Sequence, residues 1–192
     1  MFNLLKYSSI ILTMLVTIGP ALANRQPFFD DPESPHPYLD TESPQWKEAT
    51  AIKLPAYPEP ANLVEFFVDI PNPRFRYFID SRSLTINPDD RAIRYTLVMQ
   101  SVSGGANNVT YEGLRCDANK YKIYAYGNSL QNFSRLNNPQ WQHIKRTSPY
   151  PQHRELREIL FCDSNLGYEP KAVAAIISSL KNSHRITGTS LF

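Results

Sequence analysis

Cys116 and Cys162 are the only two cysteines in this chain, and they are the most readable chemistry in it. In an exported protein, a pair with no third partner forms a disulfide. The loop closed by this pair holds about 47 residues, worth roughly 4 kcal/mol by the chain-entropy treatment. The spacing is too wide for a C-x-x-C redox site, so the expected role is structural.

The other chemical groups form no recognisable set. His36, His143, His153 and His184 share no i, i+4 helical face, and no H-E-x-x-H occurs. No metal site is expected, and His143 and His153 read as polar surface. There is no G-x-S-x-G. Ser178-Ser179-Leu180-Lys181 fits S-x-x-K, but it falls at a helix end without the S-D-N and K-T-G elements that the serine-lysine chemistry needs. Gly104-Gly105 opens no helix and has no following Lys-Ser or Lys-Thr, so no phosphate loop and no cofactor are expected. Asp69, Asp80 and Glu112 lie on or beside strands, and any two could supply a hydrolytic pair if the fold brought them together. Tyr111, Tyr121, Tyr124 and Tyr126, with Arg94, Arg115, Lys120 and Lys122, could line one aromatic-basic sheet face of the kind that stacks on bases or sugars. Tyrosine is also an ordinary strand residue with a polar tip.

These residues need elements to hold them, and the chain divides clearly. Residues 1–23 read as a cleavable export signal: Lys6, an apolar run through Ile18, then Ala21-Leu22-Ala23. No stable membrane anchor is expected after cleavage. The whole chain carries a formal charge of +2, one less without Lys6, which gives no general attraction to nucleic acid. Residues 24–45 are proline-rich and read as an extended or disordered arm. Residues 46–182 read as one α+β domain, with Trp46 and Leu54-Pro55-Ala56-Tyr57-Pro58 lying across one side of its core. Residues 183–192 read as a flexible tail.

The domain is organised around the hairpin Arg91–Cys116. Ile93, Tyr95, Leu97 and Met99 alternate with more polar positions, as in a strand with one buried face. Residues 103–108 form the turn, and Val109 and Tyr111 resume the alternation. Leu114 and Cys116 then fall out of phase, which places a bulge at Gly113. Other strands are expected at Val64–Ile70, Phe75–Ile79, Ser83–Ile86 and Tyr121–Ala125, with 127–151 as loop. Two helices follow, one over His153–Cys162 and one with Pro170 as its first residue and Val173, Ile176, Ile177 and Leu180 as its apolar stripe. The fold expected is an antiparallel sheet of five or six strands with two C-terminal helices packed on one face.

Arg94-Tyr95-Thr96-Leu97-Val98, followed by Asn108-Val109-Thr110-Tyr111-Glu112-Gly113-Leu114-Arg115-Cys116, resembles the family of the cryptic neisserial protein. Trp46-Lys47-Glu48, Tyr77-Phe78-Ile79-Asp80 and Phe161-Cys162 are similar to its recurring pieces. That family comprises exported proteins of Gram-negative bacteria with no assigned activity, so the resemblance implies a periplasmic location and a shared domain, and transfers no catalytic residue. It makes Arg94, Tyr95, Tyr111, Glu112 and Arg115 the candidate functional motif. A bulge at Gly113 would bring Glu112 and Arg115 to the same side of the strand. The expected role is a non-enzymatic binding module for an envelope protein or other envelope component, presenting its tyrosine-rich strands and proline-rich arm. The alternative is an envelope hydrolase using Glu112.

Overall fold

The computed structural model describes residues 46–188, and the expected signal, arm and last four residues lie outside that range. Strands β1 (Leu63–Phe66), β2 (Phe75–Ile86), β3 (Ile93–Ser101), β4 (Asn108–Arg115), β5 (Lys120–Gly127) and β6 (Phe133–Arg135) form one antiparallel sheet in sequence order. β7 (Gln142–His143) pairs with the other half of the β5 edge that β6 occupies. Gly104 and Gly105, at φ +85° and +110°, turn the β3–β4 hairpin through conformations that side chains resist.

Hydrophobic alternation builds the helix side of this sheet. Ile93, Tyr95, Leu97, Leu114 and Tyr121 pack against Leu156, Leu160, Phe161, Ile176 and Leu180. Each such large side chain contributes roughly 1.5–3 kcal/mol on burial. The helical part consists of α1 (Pro151–Glu155), continued by π-helical turns over Leu156–Phe161, and α2 (Val173–Gly188). Between them β8 (Cys162–Asp163) pairs with β9 (Glu169–Pro170). Pro170 therefore sits in a strand pair opposite Cys162, and α2 begins at Val173 rather than at the proline. α2 also continues to Gly188, into the stretch read as a tail.

The sheet is covered on its second face as well, by residues 46–58. Three features of the strands depart from the sequence expectation. First, β3 and β4 pair in unbroken register from Ile93↔Leu114 to Met99↔Asn108, so β4 has no bulge at Gly113. The phase change reflects a strand with both faces buried, not an extra residue. Gly113 instead makes room for a neighbour, because a Cβ there would lie 2.6 Å from the Tyr124 hydroxyl. Second, the irregularity falls one strand over: Tyr111 pairs with Ala125 and Glu112 with Ile123, leaving Tyr124 as the extra residue of β5. Third, Phe75–Ile86 is one strand with a register break between Asp80 and Thr85, not two strands. Side chains mend that break. Asp80 Oδ1 accepts from the Arg82 N–H at 3.0 Å, while Ser83 Oγ donates to the Asp80 carbonyl and accepts from the Thr96 N–H, both at 2.8 Å.

The disulfide joins the end of β4 to the end of the π-helical turns, with S–S 2.00 Å and Cα–Cα 5.7 Å for Cys116 and Cys162. It ties the helical layer to the central hairpin. No helix among the described residues is long and apolar enough to cross a membrane.

Candidate functional site

The motif residues divide between the two faces of the sheet. Tyr95 and Glu112 are cross-strand partners on the helix side. Glu112 is 2% exposed and accepts from three donors: the Tyr95 hydroxyl at 3.0 Å, Thr110 Oγ1 at 2.6 Å and His153 Nε2 at 2.9 Å. Burial alone would raise the Glu112 carboxyl. The charge of His153 and the hydrogen bonds from His153, Thr110 and Tyr95 outweigh it and hold the group below the ordinary carboxylate range. Burial, and then the Glu112 charge, push the Tyr95 hydroxyl far above its usual value and keep it a donor. Phe161 closes over Tyr95 edge-on, with ring centroids 5.0 Å apart.

His153, expected at the surface, is buried because α1 lays it on the sheet. Its ring stacks on Tyr121 with centroids 3.7 Å apart. Its Nδ1 is buried without a partner. Glu112 and His153 form the base of a cleft of about 120 Å³, with Asn108, Thr110 and Gln152 as further polar lining. Tyr126 and Tyr150 also line it and remain 44% and 48% exposed, leaving two aromatic faces available to a ligand. Glu112 is the only carboxylate lining the cleft among the described residues. Asp80 lines a separate cleft with Glu59, and Asp69 lies near Glu155, whose carboxyl is raised by burial and then by the Asp69 charge. The three sheet carboxylates named from sequence do not converge.

Arg94, Tyr111 and Arg115 belong to the strap side. Arg94 forks onto Asp90 (Nη2–Oδ2 2.5 Å, Nη1–Oδ1 3.2 Å), a buried pair. Asp90 also accepts from the Ala49 and Ala92 N–H groups, at 2.8 and 3.0 Å, and its carbonyl accepts from Trp46 Nε1 at 2.9 Å. Burial would raise the Asp90 carboxyl, but Arg94 and those N–H groups draw it below the ordinary range. Arg115 lies 3.7 Å over the Trp46 ring and bonds to Asp117 at 2.8 Å. Glu48 receives Lys122 Nζ at 2.7 Å and the Tyr124 hydroxyl at 2.8 Å. Trp46-Lys47-Glu48 is therefore a clasp, and its tryptophan and acid hold cations that rise from the sheet.

The single aromatic-basic face that the sequence allows does not form. The extra residue in β5 sends Tyr124 and Ala125 to the strap side with Tyr111, while Ile123 and Tyr126 line the Glu112 cleft. With the Tyr111, Tyr124 and Lys122 side chains covered by the strap, the tyrosine-rich surface is smaller than expected and lies at Tyr126 and Tyr150. Glu112 and Arg115 point to opposite faces and do not pair. Among the described residues no three of His, Cys, Asp and Glu gather in a group suited to a metal ion.

Sequence reading missed His153, Tyr150 and Asp90. The i, i+3 step from Tyr150 to His153 at the start of α1, with Pro151 as first helical residue, was the only available signal for the first two.

Compared with known proteins, residues 41–181 match the CNP1-like family. No curated protein and no solved structure matches the chain.

Proposed function

The chain belongs to the CNP1-like family, and on that premise we propose that it is an exported, non-enzymatic binding protein of the bacterial envelope, taking one sugar unit of an envelope component at the Glu112 cleft. The observation that carries this reading is a buried carboxylate and an unpaired imidazole nitrogen at the base of a cleft whose rim presents two exposed tyrosines. Sugar rings offer hydroxyls to such acids and amides, and C–H faces to aromatic rings. The volume equals about four waters at liquid density, room for one edge of a ring.

Hydrolysis is the weaker reading. A general acid needs a raised pKa and a second carboxylate across the scissile bond. Glu112 is instead held ionised by three donors. It serves better as a fixed acceptor than as a proton source. The disulfide and the signal read at residues 1–23 support export.

The test is native mass spectrometry of the protein purified from the periplasm. The proposal expects a sugar-bearing adduct on the wild type that Tyr126→Ala/Tyr150→Ala loses. No adduct, or one kept by that variant, contradicts it.

A further inference from the structure

A second pocket lies on the opposite side of the sheet, between the strap and the mended half of β2. It holds about 430 Å³ and is lined by strap residues from Ala49 to Pro55, by Arg82 to Pro88 along β2 and its turn, and by Arg94 and Tyr111. That volume falls in the range of small-molecule sites.

Its charges are all of one sign. Lys53, Arg82 and Arg94 line it, and no carboxylate does. Arg94 gives both terminal nitrogens to Asp90, yet its Nε is buried with no partner. An unpaired guanidinium N–H in a buried side chain is costly unless an acceptor arrives. Lys53 and Arg82 are exposed and make no ion pair among the described residues. Asp80 feels the charge of Arg82, accepts from its backbone N–H and, with Glu59, lines the neighbouring cleft that Arg82 also borders. The rest of the lining is mixed: Ile52, Leu54, Ile86 and the Tyr111 ring give an apolar strip, beside which lie Ser83, Thr85 and Asn87. The strap that roofs it is fixed in place by Arg135 Nη2, which donates to the Ile52 carbonyl at 2.6 Å.

We propose that this pocket binds a small carboxylate with an apolar body, its head between Arg82, Lys53 and the Arg94 Nε–H and its body along Ile52, Leu54 and Ile86. Two exposed cations and one buried donor match the oxygens of a carboxylate. An amine of the same length meets the unpaired cations Lys53 and Arg82 there. The proposal is independent of the Glu112 cleft, which lies across the sheet.

Isothermal titration of the oxidised mature protein with octanoate, octanol and octylamine tests it. Octanoate is expected to bind, octanol to bind at least about tenfold more weakly, and octylamine not at all. Arg82→Ala and Lys53→Ala should each weaken octanoate about five- to tenfold, and Arg82→Glu/Lys53→Glu should abolish it, while Leu166→Ala, on the loop before β9, leaves it unchanged. All three charge variants are at exposed positions, and circular dichroism checks that they fold. Amide shifts on octanoate addition are expected at Ile52, Leu54 and Thr85. No octanoate binding, equal binding of octylamine, insensitivity to the Arg82 and Lys53 changes, or shifts confined to the Glu112 cleft would each overturn the proposal.

Discussion

Glu112 and Arg115 stand three residues apart on β4 and look in opposite directions. Glu112 Oε2 meets His153 Nε2 at 2.9 Å under the helices, and the Arg115 guanidinium lies 3.7 Å over the Trp46 ring under the strap. An odd separation on an unbroken strand produces this. The same strand thus anchors both layers that cover the sheet.

Glu112 is a point of acid sensitivity. Its folded pKa lies below the unfolded value, so the stability it lends is fully present above about pH 4.3 and is lost as pH falls through the folded value. Asp90 has the same sign. Asp80 and Glu155, raised by burial, have the opposite sign and lose their contribution as pH rises past their unfolded values. Urea midpoints measured from pH 2 to 7 should therefore fall on the acid side, and the fall should be shallower in Glu112→Gln and Asp90→Asn. At pH 7, Glu112→Gln should cost about 1–3 kcal/mol, because His153 and Tyr95 lose a charged acceptor.

Asp90 ties the strap to the sheet, accepting from the Ala49 N–H at its carboxylate and from Trp46 Nε1 at its carbonyl. Asp90→Ala removes the partner of buried Arg94 and the acceptor of the Ala49 N–H. A loss of about 3–5 kcal/mol is expected in denaturant melts. Trp46→Ala should loosen the strap alone. Limited proteolysis should then cut within residues 47–57 at conditions where the wild type is resistant.

These layers show how much of the fold was open to sequence reading. The alternation in Ile93–Met99 placed the hairpin and its helix face, and the cysteine count placed the disulfide. An out-of-phase apolar residue reads as a bulge at Gly113, but the same signal arises when both faces of a strand are buried. The cause on β5, Tyr124, carries no glycine and leaves no local mark. His153 was unreadable for a related reason: its burial is set by Glu112, 41 residues away, and local pattern holds no trace of that pairing.

The disulfide closes a separation of 46 residues. Cys116→Ser/Cys162→Ser should unfold about 4 kcal/mol more easily than the oxidised wild type. Thiol titration of the denatured, unreduced protein should find no free thiol.

Buried tyrosines set the alkaline limit. Burial raises Tyr77, Tyr95, Tyr111, Tyr121 and Tyr124 above the ordinary value of 10.0. A raised folded pKa lends stability below pH 10 that is lost as pH climbs toward the folded value. Absorbance at 295 nm should show these five ionising together with unfolding.

Sugar binding at the Glu112 cleft is tested most directly by a ¹⁵N amide titration of the oxidised protein with a panel of hexoses and N-acetylhexosamines. Saturable shifts are expected at Tyr121, Ile123, Tyr126, Tyr150 and His153 for at least one sugar, with Kd on the order of millimolar, abolished in Tyr126→Ala/Tyr150→Ala. Unchanged spectra across the panel, or shifts that survive the double substitution, would contradict it.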